Sequence, residues 1–273
     1  GQLGMMLGVE SVLRMPIADY KNLSAGIDLA ITDCAALLHQ IRFVKSPAEI
    51  EKISMACQIA SDAFIKCAKT SSCGESEIEI CRRMKIDLLQ HGADSVPYLV
   101  SASGPGGYDN IIMGPTERIL CDGDVLIIDT GATYDGYFCD FDRNLAFGKV
   151  SDKTQEAHEI IFRATEAGFA AASPGATTSD VWEAMWKILE KGGALGNSVG
   201  RMGHGLGMQL TEWPSVKLGD QAVLEPGVIL TLEPGMEFTP GKQLVHEENI
   251  VITEDGAKYL SQRAPQILPT VDC

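Results

Sequence analysis

Apolar residues recur at helical spacing in two consecutive segments after residue 46. The first segment predicts a helix from Pro47 to about Lys69, and the second predicts a helix that ends near Gly92. Ser46, Pro47 and Glu49 form the capping-box pattern that starts a helix. The apolar positions are Ile53, Cys57, Ala60 and Phe64 in the first helix and Ile78, Cys81, Met84 and Leu88 in the second.

The same order of elements recurs in the second half of the chain. Segments with Gly, Pro and Asp turns predict strands over residues 97–149, and two helices then follow over about 152–172 and 181–191. Strands are predicted again from about 198 to 260. Two copies of helix, helix and sheet indicate an α+β fold built from two pseudo-symmetric halves.

Residues 1–45 differ from this repeat. The strand-like run MMLGVESV precedes a predicted helix, a short strand and a second helix. This stretch is too short to close a core of its own. We expect it to be the tail of a domain whose front is missing from this chain, with a second domain over residues 46–273.

Carboxylates lie at the ends of the predicted strands. Glu233 follows the apolar run 228–232, and Glu247 and Glu248 precede the run 249–253. Upstream, one β-rich run is predicted to end at Asp129 and the next at Asp140, and glycines flank His204 in GHGLG. Four carboxylates and one imidazole that converge form a site for hard or borderline divalent ions, and shared carboxylates could bridge two of them.

Composition narrows the function classes. A net charge of −15 argues against nucleic acid and anionic membrane surfaces as partners. No apolar run approaches the roughly 18 residues that a membrane span requires. The eight cysteines have no CxxC spacing, which predicts reduced thiols and a cytoplasmic protein.

The motifs DTGATYDGYFCDFDR, GHGLG, LTLEPG and HEENIVITEDG resemble the metal-binding signature of the M24 metallopeptidases. The resemblance covers about residues 47–273 and implies the "pita-bread" fold of aminopeptidase P, prolidase, methionine aminopeptidase and creatinase. It also implies that residues 1–45 are the remnant of a creatinase-like N-terminal domain and that the chain forms a homodimer. The implied ligands of a two-ion centre are Asp129, Asp140, His204, Glu233 and Glu247.

The implied reaction is hydrolysis of a small peptide or amide by metal-bound hydroxide. The metal pair is Mn, Co, Fe or Zn, with Mn favoured. Glu233 and His204 are the implied catalytic residues, and Glu233 would carry the proton from the nucleophile to the leaving group. Arg143, three residues after Asp140, is a candidate to orient the ligands or to pair with a nearby carboxylate.

Two positions depart from the pattern of the peptide-cleaving members. Ile112 and Thr211 stand where those members carry histidines that bind the substrate carbonyl. The nearest candidates to contact substrate are Thr211, His246 and Trp213. One hypothesis is therefore a hydrolase of the Xaa-Pro dipeptidase or aminopeptidase P type. The other is a non-peptidase of the same fold: a creatinase-like amidinohydrolase, an enzyme that acts on a small osmolyte, or a metal-free binding protein.

Overall fold

The computed structural model describes residues 1–9, 11–196 and 200–273, which form two compact units, Gly1–Val44 and Lys45–Cys273. In the first unit, β1 pairs in parallel with β2. The run MMLGVESV predicted a strand over residues 5–12, but the observed strand is Gln2–Met5, because those residues pair with β2. Glu10, within the predicted run, lies outside the described residues. That this unit is the remnant of a larger domain stays a prediction. Its elements are β1 (Gln2–Met5), α1 (Ile17–Gly26), β2 (Ala30–Asp33) and α2 (Ala35–Phe43).

The second unit starts with the predicted helix pair. Ser46 and Ser76 each cap a helix through a capping box, in which the serine side chain accepts from the third helical N–H and a glutamate bonds back. Such a cap stabilises a helix by roughly 1 kcal/mol. The elements of this half are α3 (Pro47–Thr70), α4 (Glu77–Gln90), β3 (Ser95–Pro105), β4 (Asp124–Tyr134), β5 (Tyr137–Phe138) and β6 (Phe141–Phe147).

The second half repeats the order, as predicted. A capping box at Thr177 starts the second helix of this pair. The predicted start of the second strand region near residue 198 lies outside the described residues. The elements are α5 (Asp152–Ala171), α6 (Thr178–Lys191), β7 (His204–Gly205), β8 (Glu212–Ser215), β9 (Ile229–Leu232), β10 (Gly235–Thr239), β11 (Lys242–Val245), β12 (Glu248–Thr253), β13 (Gly256–Tyr259) and β14 (Thr270–Val271).

Each half builds one main sheet, and β14 of the second half joins the sheet of the first. The first sheet has the order β14-β6-β4-β3, with β5 paired to β4, and the second has the order β13-β12-β9-β7-β8. In the first sheet the long antiparallel pairs β3–β4 and β4–β6 fix the register. In the second, β12 pairs antiparallel with β9, which places Glu248 opposite Leu232. The segments next to these two strands therefore lie side by side.

The core of the second unit lies where helices meet sheets. Helix α3 buries the face that carries Ile53 and Phe64, and α4 buries the face that carries Met84. Phe64 packs against Phe141 of β6, with ring centroids 5.4 Å apart. Seven of the eight apolar positions that predicted the two helices are buried, and the exception, Ile78, is half-buried. Among the described residues, no helix is both long and apolar enough to cross a membrane.

The prediction of eight reduced cysteines is wrong for two of them. Cys73, just after α3, forms a disulfide with Cys273, 200 residues away. Sequence spacing could not reveal this pair, because folding brings together residues from opposite ends of the second unit. Cys57, Cys67, Cys81 and Cys139 are free and buried, whereas Cys121 is free and exposed.

Candidate metal centre

Five elements bring the predicted ligands toward one place. Glu233 directly follows β9, Glu247 directly precedes β12, and His204 begins β7. The predicted strand ends for the two aspartates are wrong. Asp129 lies in the middle of β4, because that strand continues to pair with β3 and β5, and Asp140 directly precedes β6.

Three of the five side chains form a compact buried cluster. One ligand atom each from Asp140, His204 and Glu247 lies within 4.8 Å of the other two. The Nε2 atom of His204 is 3.4 Å from Oδ2 of Asp140. Asp129 and Glu233 lie outside this cluster, with the hydroxyl of Tyr98 donating to Asp129 and Nε of Arg201 lying 3.4 Å from Oε1 of Glu233.

The electrostatics show that the carboxylates share one environment. Burial, followed by the charge of Asp140, raises the pKa of Asp129 to about 8, and burial raises the pKa of Asp140 to about 8. Burial also raises the pKa of Glu233 to about 7, although His204 and Arg201 oppose the shift. Burial and then Asp140 raise the pKa of Glu247 well above its usual range. Removing water and adding like charges both disfavour the ionised carboxylate, so the site favours a bound cation or protons.

Unpaired oxygens provide the test of whether the residues fit a metal. Within the described part of the chain, Oδ1 of Asp129 and Oε1 of Glu247 are buried and have no hydrogen-bond partner. Oε1 of Glu233 likewise has no hydrogen bond, apart from its ion-pair contact with Arg201. Buried polar atoms without partners are costly, and carboxylate oxygens are preferred ligands of hard divalent ions. The donor set therefore fits divalent metal.

The main chain around His204 fixes the orientation of its imidazole at the candidate metal site. Gly203 has φ +146°, and a Cβ atom there would collide with the carbonyl of Thr231. A Cβ on Gly205 would lie 2.6 Å from the carbonyl oxygen of Trp213. A side chain at either glycine would therefore clash with the main chain. Because Nδ1 of His204 is 2.8 Å from the Gly205 carbonyl, it carries the proton, and the lone pair of Nε2 is directed toward Asp140.

Arg143 pairs with a carboxylate next to a predicted ligand, as the sequence predicted. Its side chain is 11% exposed, and it donates to the carbonyl of Glu247 and to Oε2 of Glu248, both at 2.9 Å. Glu248 also accepts from the hydroxyl of Ser261 and from the amide of Ala264. Arg143 therefore fixes the main chain at the predicted ligand Glu247.

Sequence reasoning missed three residues around the ligands. The side chain of Asn249 bonds both main-chain polar groups of Asp140. The hydroxyl of Tyr98 donates to Asp129. Arg201 contacts Glu233 of the site. It lies three residues before His204, and this proximity was the one signal for it in the sequence.

Two candidate substrate residues lie at β8, with Thr211 directly before the strand and Trp213 within it. Thr211 is exposed, and its hydroxyl accepts from Nη2 of Arg201 at 3.5 Å. Trp213 is half-buried. Ile112, at the other position where peptidases carry a histidine, is 82% exposed. Their contacts with substrate stay predictions.

His246 lies between β11 and β12, directly before Glu247, and contacts other groups. Its Nδ1 atom is 2.7 Å from the hydroxyl of Thr165 on α5, and its Nε2 atom is 3.4 Å from Oε1 of Glu248. Its ring packs edge-on against Phe162. The structure thus groups His246 with α5 and Glu248 rather than with the three-residue cluster.

Two helix–helix–sheet halves that place buried carboxylates and one histidine at a common site define a metal-dependent enzyme class. The family model described as Metallopeptidase family M24 matches residues 51–254. The chain belongs to this family and is a metallohydrolase.

Curated relatives extend over most of the chain. It is 31% identical to the uncharacterized peptidase YqhT of Bacillus subtilis over 264 residues, which cover 93% of this chain and 72% of that protein. It is 29% identical to the Xaa-Pro dipeptidase of Pyrococcus furiosus over 238 residues, which cover 85% of this chain and 67% of that protein.

Solved structures confirm the fold. The Xaa-Pro dipeptidase from Bacillus anthracis matches with a TM-score of 0.90 and 27% identity, covering 99% of this chain and 74% of that one. The prolidase from Pyrococcus furiosus matches with a TM-score of 0.88 and 26% identity, covering 97% of this chain and 77% of that one. The predicted α+β pita-bread fold is therefore confirmed.

Proposed function

We propose that the protein is a two-metal hydrolase that cleaves a Xaa-Pro dipeptide or a related small amide. The observation that supports it most is the buried cluster of Asp140, His204 and Glu247, beside unpaired oxygens of Asp129 and Glu233. These five side chains would hold the ions, with Mn²⁺ favoured for a site rich in carboxylates. The ions would supply a hydroxide nucleophile near neutral pH and polarise the scissile carbonyl.

The protein's own residues would transfer the proton, bind the metal and bind the substrate. Glu233, beside Arg201 at the more open edge of the site, would take the proton of the attacking water and deliver it to the leaving nitrogen. His204 would hold its tautomer through the Gly205 carbonyl and keep Nε2 as a ligand. Arg201 is 34% exposed and presents a guanidinium next to Thr211. It would bind the carbonyl or carboxylate of the substrate, a role for which peptidases use imidazoles at other positions.

The names of the relatives support a dipeptide substrate. Proteins named Xaa-Pro dipeptidase recur among both the curated relatives and the solved structures. Dipeptides are small enough for a site whose ligands are nearly buried. A cytoplasmic homodimer, without nucleic-acid or membrane partners, stays part of the proposal and is to be tested by light scattering and fractionation.

A second candidate function rests on Ile112 and Thr211. Neither side chain can donate as an imidazolium does, and both are exposed. A substrate that needs no such donor, such as a urea, a guanidine or a small osmolyte, would be consistent with these residues. This alternative is a creatinase-like amidinohydrolase or a small-osmolyte lyase or hydrolase.

One screen separates the two. The Mn²⁺-loaded protein is assayed against Xaa-Pro dipeptides and against a panel of small amides, ureas and guanidines. Dipeptide turnover that disappears in the His204→Ala variant supports the first proposal. Turnover restricted to the non-peptide panel supports the second, and no turnover of either class by the loaded protein contradicts both.

A further inference from the structure

Asp142 lies directly opposite a predicted metal ligand. In the antiparallel pair of β4 and β6, Asp142 is the partner of Asp129. Residues directly opposite on such a pair project from the same face, with Cβ atoms about 4.5–5.5 Å apart. Asp142 is also two residues after Asp140, which directly precedes β6. The register therefore brings a further carboxylate to the side of the sheet that carries Asp129.

Asp142 is buried, but among the described residues its Oδ1 atom has no hydrogen-bond partner that would explain this burial. The residue is 2% exposed, and this oxygen has no hydrogen-bond partner within the described part of the chain. Asp124, at the start of β4, is equally buried but is paired with both terminal nitrogens of Arg118, at 2.9 and 2.7 Å. Arg143, next to Asp142, bonds its main-chain carbonyl rather than its carboxylate.

The charges around Asp142 include two predicted ligands, Asp129 and Glu233, together with Arg143 and Glu248. Burial and then the charge of Asp129 raise the pKa of Asp142 well above its usual range. Asp142 is in turn among the groups whose charge acts on Glu247. Asp142 is thus within electrostatic range of ligands from both sheets.

We propose that Asp142 is a sixth protein ligand of the metal centre, on the side formed by Asp129 and Glu247. The inference rests on the proposed metal site but not on the identity of the substrate. The family resemblance assigns five ligands and leaves this position out. A buried carboxylate oxygen that faces a cation site and has no protein donor gains a partner when it binds the ion.

The additional carboxylate changes the chemistry of the centre. Four carboxylates balance the charge of two divalent ions, and Asp142 adds a fifth. The guanidinium of Arg201, 3.4 Å from Glu233, supplies a compensating positive charge. Because oxygen ligands suit hard ions, Asp142 should favour Mn²⁺ relative to Zn²⁺ at the ion that it contacts.

Metal titration tests the proposal without an activity assay. The protein is stripped with a chelator, and Mn²⁺ and Zn²⁺ binding is measured by calorimetry for the native chain and for Asp142→Asn, which keeps the shape but removes the charge. We expect Mn²⁺ affinity at one site to fall by about tenfold or more, a loss typical of disturbing a metal shell. The Zn²⁺ affinity should fall less, and Asp142→Glu should recover part of the Mn²⁺ loss.

Asp87→Asn is the matched control. Asp87 on α4 is also 2% exposed and also has one oxygen without a partner, but it pairs with Lys66 outside the metal centre. Its variant should bind both ions as the native chain does. Circular dichroism checks that each variant is folded. If Asp142→Asn does not fold, a crystal structure of the Mn²⁺-loaded native protein decides, because an oxygen of Asp142 should be bonded to an ion.

Each outcome has a distinct meaning. Native affinities in a folded Asp142→Asn variant would overturn the sixth ligand and leave the proposed function standing. So would a loaded structure in which Asp142 contacts no ion. A native protein that binds no divalent ion would overturn both proposals. A loaded protein that turns over no substrate, yet loses Mn²⁺ on Asp142→Asn, would overturn only the proposed function.

Discussion

The side chain of Asn249 holds the main chain of Asp140 from both sides. Its Oδ1 accepts from the Asp140 amide at 2.9 Å, and its Nδ2 donates to the Asp140 carbonyl. Asn249 lies on β12, two residues after the ligand Glu247, and is fully buried. One amide therefore sets the spacing between two ligands that come from different sheets.

Replacing Asn249 by alanine should loosen this spacing. The change leaves two buried main-chain groups unsatisfied, which should lower the free energy of unfolding by about 2–4 kcal/mol. Mn²⁺ affinity should fall by roughly 10- to 100-fold, as for other residues that orient ligands. Chemical denaturation and calorimetry measure both quantities. Asn110→Ala, in an exposed loop, is the control, and an unchanged Mn²⁺ affinity for Asn249→Ala would contradict the role.

Removing a ligand should reduce metal content directly. The native protein should bind about two divalent ions per chain, and Asp140→Ala and His204→Ala should each lose at least one, because both residues belong to the compact cluster. Elemental analysis after gel filtration gives the stoichiometry. Glu254→Ala, an exposed carboxylate just beyond β12, should retain both ions. Native stoichiometry in both ligand variants would show that the metal lies elsewhere.

Stability of the metal-free protein should depend on pH in a stated direction. The pKa values of Asp129 and Asp140 are raised to about 8 and that of Glu233 to about 7, each first by burial. A group whose pKa is higher in the folded state stabilises that state below its unfolded pKa and loses this contribution as pH rises through the folded value. The metal-free protein should therefore melt at a lower temperature at pH 9 than at pH 6.

Bound Mn²⁺ should remove this dependence, because the ion replaces the protons. Calorimetric melts of the stripped and loaded protein at the two pH values provide the check. An equal fall with pH in both forms would assign the effect to groups outside the centre. Mn²⁺ affinity itself should rise over the same range, since binding must displace protons from these carboxylates.

Arg201 should affect substrates that carry a carboxylate most strongly. Its guanidinium lies between Glu233 and Thr211 and is one-third exposed. Loss of a charge-assisted hydrogen bond of about 1.5–3 kcal/mol predicts a roughly 10- to 150-fold lower kcat/KM for a dipeptide in Arg201→Gln. The corresponding dipeptide amide should lose less. Arg163→Gln, on the exposed face of α5, is the control.

The native protein should hydrolyse Xaa-Pro dipeptides slowly. Ile112 and Thr211 remove two donors, and one such donor is typically worth about 100- to 1000-fold in rate. The double variant Ile112→His, Thr211→His should gain measurable activity if the backbone holds the peptidase geometry, and each single variant should gain less. Steady-state assays with Mn²⁺ present provide the comparison. Native turnover on the order of 10 per second would show that other groups, Arg201 among them, replace the histidines.

Local patterns in the sequence predicted the helices and pointed to the residues that form the buried cluster. The capping box at Ser46 and the apolar spacing after it placed α3 to within about one residue of its observed end at Thr70. Glu233 and Glu247 could be assigned to strand ends because apolar runs of β-branched and aliphatic residues flank them. Such signals depend only on neighbours along the chain.

Strand register and long-range pairing could not be predicted in this way. The run after Asp129 contains small and polar residues, which resembled the end of a strand, but pairing with β3 and β5 continues β4 to Tyr134. Tyr98, Asn249 and Asp142 acquire their places only when distant strands align. The bond between Cys73 and Cys273 has the same origin.

The division of the ligands between two sheets has a thermodynamic consequence. Asp129 and Asp140 belong to the first sheet, and His204, Glu233 and Glu247 to the second. A partly unfolded form that keeps one half retains only a fragment of the donor set, so ions bind the fully folded chain far better than any such form. Mass action then makes metal stabilise both halves together, by RT ln(1 + [M]/Kd) for each site. Loading the centre should therefore merge the unfolding of the two halves into a single cooperative transition.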